Sequence, residues 1–262
     1  KAAVNVPVIA GNRIHTPALA EQVLADGHAD MIGWIRPLIC DPQLPRKMQE
    51  GRVEEIVFCV SDNQNCIGRG SRLKPIACVQ NPWAGREALR SAIPGQSLGK
   101  RQKVVVVGAG PAGLRAALTA ASCGHKVTVL EREKEPGGQL RIARLGAGRQ
   151  LIWTVVENLT RRLRGQDVEV LTEFEATSES VLEASPDAII VATGSFPHPR
   201  PVRGNYSAPA VLNVWQALQN PESVGQRVML VDENGHQQAI ATAEFLADCG
   251  HEVDIMTGEP FV

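Results

Sequence analysis

Three of the six cysteines stand close together, in a segment that is otherwise rich in Asn, Gly and Pro. They are Cys59, Cys66 and Cys78. A disulfide framework is not expected in a chain of this size without a signal-peptide pattern, so the cluster indicates a metal site instead. The other cysteines stand among apolar neighbours and are expected to be small buried residues: Cys40, Cys123 and Cys249.

A second group of residues has the spacing of a dinucleotide-binding loop. Four valines lead into Gly108-x-Gly110-x-x-Gly113, and an Ala- and Leu-rich helix follows. In this motif the first glycine permits a tight turn, the second lets a pyrophosphate approach the backbone, and the third lets helix and strand pack closely. The helix N-terminus offers N–H groups to phosphate, and Glu131, after the next strand, can accept hydrogen bonds from ribose. The alternative is a glycine-rich turn with a purely structural role.

Alternating strands and helices must position these residues. The N-terminal part contains two apolar strand candidates, Val6–Ala10 and Ala29–Ile35, and Thr16 can cap the helix between them. The remaining strand candidates are Lys103–Val107, Lys126–Leu130, Val168–Leu171, Ala188–Ala192, Arg227–Val231 and Glu252–Met256. This alternation predicts an α/β fold built on largely parallel strands.

Two more segments accompany the glycine motif. Glu135–Leu140 follows Glu131, and Ile189–Gly194 is a strand that ends in a sharp turn. With the glycine motif they resemble the FAD-binding half of flavoproteins that have two dinucleotide-binding domains, the glutathione-reductase-like class. The resemblance implies that FAD, or ADP in its place, is bound by Gly108, Gly110, Pro111, Ala112, Gly113, Glu131, Arg132, Gly138, Gln139, Ala192, Thr193 and Gly194.

A second strand–turn–helix unit starts at Arg227 and lacks the glycines of the first. Its three glycine positions are occupied by Asp232, Asn234 and Gln237. Two adjacent carboxylates, those of Asp232 and Glu233, would repel a pyrophosphate, and a side chain at the second position would obstruct it. We expect that the fold is kept and that the nicotinamide site is lost. The alternative is a nucleotide bound in a nonstandard pose.

The cysteine segment resembles the iron–sulfur segment of the family that contains trimethylamine dehydrogenase, histamine dehydrogenase and bacterial 2,4-dienoyl-CoA reductase. That family has the pattern C-x-x-C-x-x-x-C-x(11)-C, and the spacing is kept here, with Asp62 in place of the second cysteine. Thiolates suit iron–sulfur clusters because they are soft donors, whereas a carboxylate is a harder ligand. Three alternatives stay open: a [4Fe–4S] cluster with Cys59, Asp62, Cys66 and Cys78 as ligands, a three-iron or absent cluster, or a structural zinc site.

The N-terminal segment resembles the last part of that family's flavin-binding (β/α)8 barrel, of the Old Yellow Enzyme type. Pro7–Ile14 is similar to its seventh strand and loop, and Asp30–Pro37 to its eighth. Loops after these two strands commonly form phosphate sites. The resemblance implies that FMN is bound by Gly11, Asn12, Arg13, Gly33, Ile35 and Arg36, with the two arginines adding positive charge. The alternative is that two arginines merely end two strands.

The resemblance implies four segments in chain order. Residues 1–50 are the end of an FMN-binding TIM barrel, and residues 51–99 are the iron–sulfur segment with a linker. Residues 100–222 are a Rossmann-like FAD- or ADP-binding domain, and residues 223–262 begin a degenerate NAD(P)-type domain. The family pattern also implies that further barrel strands precede Lys1 and that more chain follows Val262. The catalytic residues would lie on those earlier strands, so none is named here.

The composition excludes several classes of function. The chain of 262 residues carries 27 Lys and Arg against 28 Asp and Glu, which leaves no electrostatic case for nucleic acid or an anionic membrane. Aromatic residues amount to 4 %, which argues against a base-stacking surface. No apolar run approaches the ~20 residues that span a bilayer. We therefore expect a cytoplasmic protein, and a homo-oligomer.

The family resemblance predicts a flavin-dependent oxidoreductase. The damaged second glycine motif favours oxidative N-demethylation or dehydrogenation of a small amine or N-methylated amino acid. Electrons would then pass from FMN through the cluster to an electron-transfer flavoprotein. One alternative is an NAD(P)H-dependent 2,4-dienoyl-CoA or enone reductase, which needs a working nicotinamide site. Another is a non-catalytic nucleotide-binding assembly subunit.

Overall fold

The computed structural model describes residues 1–92, 99–198, 211–233 and 235–258. The chain divides into two compact units, residues 1–95 and 96–262. The described segments contain ten α-helices. Four are in the first unit, α1 (Pro17–Ala25), α2 (Arg36–Cys40), α3 (Leu44–Gln49) and α4 (Ile67–Gly70). Six are in the second, α5 (Pro111–Ser122), α6 (Leu140–Ala143), α7 (Thr154–Leu163), α8 (Ser178–Glu183), α9 (Val214–Gln219) and α10 (Gln237–Asp248). Short 3₁₀ helices cover Val53–Glu55, Glu87–Ala92, Gln150–Trp153 and Pro221–Ser223.

The first unit contains one parallel strand pair, β1 (Ile9–Ala10) and β2 (Met31–Ile32), joined through α1. The predicted cap is confirmed, because the Thr16 hydroxyl accepts a hydrogen bond from the Leu19 N–H. The first strand is shorter than predicted, since the Asp30 carboxylate, rather than a strand partner, accepts the Val8 N–H at 2.7 Å. The second strand is also shorter, because the chain already enters α2 at Arg36.

Irregular chain makes up most of the first unit after α2, and a few buried side chains order it. Leu44 and Ile56 are fully buried. Beside them, Lys47 forms a 2.6 Å ion pair with Asp41, whose carboxylate also accepts the Val57 N–H at 2.9 Å. These contacts hold the segment that leads into Cys59 against α3.

The second unit is built on a four-stranded parallel sheet in the order β5-β4-β3-β6. Its strands are β3 (Lys103–Val107), β4 (Lys126–Leu130), β5 (Val168–Leu171) and β6 (Ala188–Val191). The helices α5 and α7 bury their apolar faces here, and the core side chains include Val106, Leu114, Val127, Val129 and Leu159. A separate parallel pair, β7 (Arg227–Asp232) and β8 (Glu252–Thr257), is connected through α10.

The structure confirms the predicted mixed α/β fold with parallel sheets, and each strand of the second unit lies within one residue of its predicted bounds. Within the described ranges, no helix is both long enough and apolar enough to cross a membrane.

Candidate functional site

All six residues expected at the FMN phosphate line a single cavity of about 690 Å³ in the first unit. Asn12 and Arg13 follow β1 with φ values of 70° and 58°, a conformation that turns the backbone sharply after the strand. Gly11 lies against Gly33, because a Cβ at Gly11 would be 3.5 Å from the Gly33 carbonyl oxygen. Ile35 and Arg36 complete the predicted set on the cavity wall, and Ile35 is 77 % exposed.

The Arg36 side chain forms hydrogen bonds with two different loops. One terminal nitrogen donates to the Asn12 side-chain oxygen at 3.0 Å, and the other donates to the Asn63 side-chain oxygen at 2.7 Å. A guanidinium has five N–H donors, so these two bonds leave donors that a phosphate can use.

Two of the cluster cysteines, Cys59 and Cys66, lie on the wall of this same cavity. The predicted flavin-phosphate residues and part of the cysteine cluster are thus neighbours within one unit. Sequence spacing alone does not place the two groups together.

A narrow pocket that shares Arg36, Cys59 and Cys66 with this cavity contains the predicted cluster ligands. Cys59, Asp62, Cys66 and Cys78 all line it. Across the residues that the structure describes, no three His, Cys, Asp or Glu side chains are grouped closely enough to hold a metal ion. The ligands of a four-iron cluster need not be grouped so closely, because each of them binds a different iron atom.

The thiols in this pocket have unequal environments. The pKa of Cys78 is lowered to about 6, first by a hydrogen bond from the Cys40 thiol and then by the main-chain N–H groups of Asn81 and Gln80. Burial raises the pKa of Cys59, although hydrogen bonding from Ser61 and the Arg36 charge oppose it. Main-chain N–H donors directed at sulfur stabilise a thiolate, so the donor set fits an iron–sulfur group.

Three cysteines outside the cluster were expected to be buried apolar residues. The expectation is wrong for Cys249, which is exposed, and Cys123 is only half-buried. Cys40 is buried, with 4 % of its surface exposed, but it also lines the cluster pocket and its thiol contacts Cys78. The structure explains this position: α2 spans Arg36–Cys40, and residues four apart lie on the same face of a helix, so Cys40 faces the same side as Arg36.

The glycine loop of the second unit follows β3. Gly108 has a φ of 101°, and a Cβ there would overlap the Ala192 carbonyl at the end of β6. A Cβ at Gly113 would overlap the Gly108 carbonyl, so these two glycines are required by internal contacts. At Gly110 a Cβ would meet nothing closer than the Gly138 Cα at 3.8 Å. The structure therefore leaves open space at the position where the motif brings a pyrophosphate close.

Glu131 lies directly beneath this loop. Its side chain accepts the Ala109 N–H at 2.7 Å and the Glu133 N–H at 3.0 Å, and only 6 % of the residue is exposed. A carboxylate has about four acceptor sites, so these bonds leave capacity for a ribose hydroxyl. No side chain caps the N-terminus of α5, where Pro111 and Ala112 form the first turn.

The two accompanying segments meet beside the loop. Gly138 lies against Gly110, and the Gln139 amide nitrogen donates to both the carbonyl and the hydroxyl of Ser195 at 3.0 Å. Thr193 and Gly194 connect β6 to that serine, and the Arg132 guanidinium lies 5.7 Å from the centre of the Phe196 ring. The structure thus brings the whole predicted FAD set to the C-terminal ends of β3, β4 and β6.

The second glycine motif is replaced by a polar turn after β7. Asp232 is buried, and its carboxylate accepts the Gly235 N–H at 3.1 Å and the Thr257 hydroxyl at 3.4 Å. The Gln237 side chain, in the first turn of α10, accepts a 2.7 Å hydrogen bond from Arg149. The prediction for Asn234 lies outside the described residues.

Comparison with family models matches both units. The model described as pyridine nucleotide-disulphide oxidoreductase matches residues 102–260. The model described as the NADH:flavin oxidoreductase / NADH oxidase family matches residues 1–55. The second match agrees with the predicted resemblance to a TIM-barrel family.

Individual relatives confirm the resemblance inferred from the motifs. An NADH oxidase of Thermoanaerobacter brockii is 39 % identical over 98 % of this chain and 39 % of its own length. A probable N-methylproline demethylase of Rhizobium meliloti is 36 % identical over 98 % of this chain and 37 % of its own length. The solved structure of histamine dehydrogenase from Rhizobium sp. 4-9 is 28 % identical with a TM-score of 0.85, over 98 % of this chain and 39 % of that one. The chain thus spans about two fifths of the length of these relatives.

Proposed function

This chain belongs to the pyridine nucleotide-disulphide oxidoreductase family, and on that basis we propose that the protein is an oxidoreductase that uses FMN, an iron–sulfur cluster and FAD or ADP. One observation carries the proposal. The cavity that contains the six flavin-phosphate residues also contains Cys59 and Cys66 on its wall. A flavin bound there would share the cavity with two of the cluster thiols, so the flavin and the cluster would be neighbours.

The residues at each site suit the group proposed for it. At the FMN phosphate, Arg13 and Arg36 supply positive charge and the turn after β1 supplies main-chain donors. At the cluster, the three thiols of the predicted ligand set and the Asp62 carboxylate line one pocket, together with the Cys40 thiol. At the dinucleotide site, the open space at Gly110 and the uncapped N-terminus of α5 suit a pyrophosphate.

The substrate proposed is a small amine or N-methylated amino acid, which FMN would oxidise before its electrons leave through the cluster to an electron-transfer flavoprotein. The support on this chain is the turn after β7. Asp232 occupies the first glycine position, and its carboxylate is fixed in the turn by two hydrogen bonds. A buried carboxylate at this position repels the pyrophosphate of NAD(P)H. An enzyme that sends electrons out does not need that site.

Anaerobic reduction of the flavin in the holoenzyme tests this proposal. We expect N-methylated amines to bleach the flavin absorbance and NADH or NADPH to leave it unchanged over the same period. The control is dithionite, which reduces the flavin chemically whatever the substrate. Rapid bleaching by NADH with no response to any amine would overturn the choice of amine.

A second candidate is an NAD(P)H-dependent reductase of enones or enoyl thioesters. The observation that favours it is the 39 % identity to a protein named NADH oxidase, which exceeds the 36 % identity to the demethylase. Replacing Asp232 and Asn234 by Gly distinguishes the two. For the amine enzyme, the parent should not bind NADH, and binding should appear only when the second glycine position is restored as well, in Asp232→Gly/Asn234→Gly. For the reductase, NADH binds before the substitution.

A further inference from the structure

Arg36 lines two adjoining cavities, which also share Cys59 and Cys66. Asn12 lines the large cavity, Asn63 lines the narrow cysteine pocket, and Arg36 lines both. Its two terminal nitrogens are divided between the two asparagines, at 3.0 Å and 2.7 Å. One side chain therefore joins a loop of the flavin cavity to a loop of the cysteine pocket.

Both asparagines stand at sharp turns of the backbone. Asn12 has a φ of 70° and Asn63 a φ of 61°, in the left-handed region that Asn tolerates better than most residues. The Asn63 carbonyl also accepts the Gly68 N–H at 2.8 Å, which anchors it between Asp62 and Cys66. The planar guanidinium fork can reach both acceptors together, whereas a lysine ammonium cannot reproduce this geometry.

We propose that Asn63 is a positioning residue that, through Arg36, couples FMN binding in the large cavity to the conformation of the cysteine loop. This inference rests on the proposed function, because FMN is its ligand. Asn63 does not line the large cavity, and its side chain is linked to that cavity by the hydrogen bond from Arg36. An Arg36 already held by Asn63 loses less side-chain freedom when it binds phosphate. By reciprocity, bound FMN stabilises the cysteine loop.

The dissociation constant for FMN, measured by flavin fluorescence with deflavinated, cluster-loaded protein, tests the coupling. Asn63→Gly removes the side chain without backbone strain, and we expect about fivefold weaker binding, near the lower end of couplings between sites. Asn63→Asp keeps the acceptor but adds a negative charge beside Arg36, so it should not restore the FMN affinity of the parent. In an Arg36→Lys background, Asn63→Gly should have no further effect, which a purely structural role would not produce.

The matched control is Leu73→Gly. Leu73 has a φ of 53°, lies between Cys66 and Cys78 and is 96 % exposed, so its substitution should change the dissociation constant less than about twofold. A second measurement needs no variant. Added FMN should slow the loss of iron to a chelator about fivefold in the parent protein.

Three results would overturn the coupling. Equal FMN affinity in Asn63→Gly and the parent would refute it and leave the proposed function intact. An unchanged rate of iron loss on addition of FMN would also refute the coupling and leave the proposed function intact. This measurement uses the parent protein, so it holds even if Asn63→Gly fails to fold. A parent protein that contains neither iron nor FMN would overturn the proposed function and the coupling together.

Discussion

Replacing Gly110 by Ala should weaken nucleotide binding without unfolding the protein. Gly110 has a φ of −70° and a ψ of 177°, which any L-residue adopts, and its Cβ would meet no atom closer than 3.8 Å. At the position before α5, Ala is a poorer cap than Gly by about 0.5–1 kcal/mol. The lower entropy of the unfolded chain offsets about 0.4–1 kcal/mol. The free energy of unfolding should therefore stay within about 0.5 kcal/mol of the parent value.

The bound nucleotide experiences a different change. The new methyl group occupies the space into which a pyrophosphate approaches the backbone, and overpacking of this kind costs about 1–3 kcal/mol. That range corresponds to about 5- to 150-fold weaker binding. The assay is a titration of nucleotide-free protein with FAD and ADP by calorimetry, together with thermal unfolding of the same nucleotide-free samples.

Two matched variants define the result. Gly225→Ala has similar space, with its nearest atom at 3.9 Å from the added Cβ, and should change neither binding nor stability. Gly113→Ala inserts a Cβ into the Gly108 carbonyl, and the free energy of unfolding should fall by about 3 kcal/mol. That loss corresponds to an unfolding temperature about 6–12 °C lower. Parent-like FAD and ADP affinity in Gly110→Ala, or a fall in stability equal to that of Gly113→Ala, would refute the reasoning.

Three further substitutions test other contacts. The Glu131 carboxylate accepts two main-chain N–H groups, one on each oxygen. In Glu131→Gln one of these oxygens becomes an NH₂ group, which cannot accept. The free energy of unfolding, measured by urea titration, should therefore fall by about 1–3 kcal/mol. Asp62→Cys supplies the thiolate of the family pattern, so the electron paramagnetic resonance spectrum should change and iron should dissociate more slowly. Lys47→Met leaves the buried Asp41 carboxylate without its cation. In the same urea titrations the free energy of unfolding should fall by about 3 kcal/mol.

Each of these predictions has a control or an outcome that would contradict it. For Lys47 the control is Arg227→Gln, which removes an exposed ion pair with Glu252 and should change stability by less than about 0.5 kcal/mol. An unchanged spectrum and unchanged iron retention in Asp62→Cys would show that Asp62 is not a ligand. Stability equal to that of the parent in Glu131→Gln would mean that the carboxylate contributes nothing to the loop.

Much of the second unit was predictable because its signals are local. Runs of valine and isoleucine between turn residues predict β3 and β6, and the glycine spacing follows from steric demands within a few residues. The prediction was less accurate in the first unit, where a strand was expected over Val6–Ala10 but only Ile9–Ala10 forms one. A side chain from a later segment, Asp30, accepts the Val8 N–H, and nothing near Val8 signals this competition.

The glycine loop and the cysteine spacing, with Asp62 in place of a thiol, can be read directly from the sequence, and the family resemblance predicts the order of the segments. The contact of Cys40 with Cys78 and the link from Asn12 through Arg36 to Asn63 are seen only in the folded structure. The physical reason is that periodicity and backbone preference act over a few residues, whereas these contacts join segments far apart in the chain. Such contacts depend on how loops close around a shared cavity, which is a property of the folded chain.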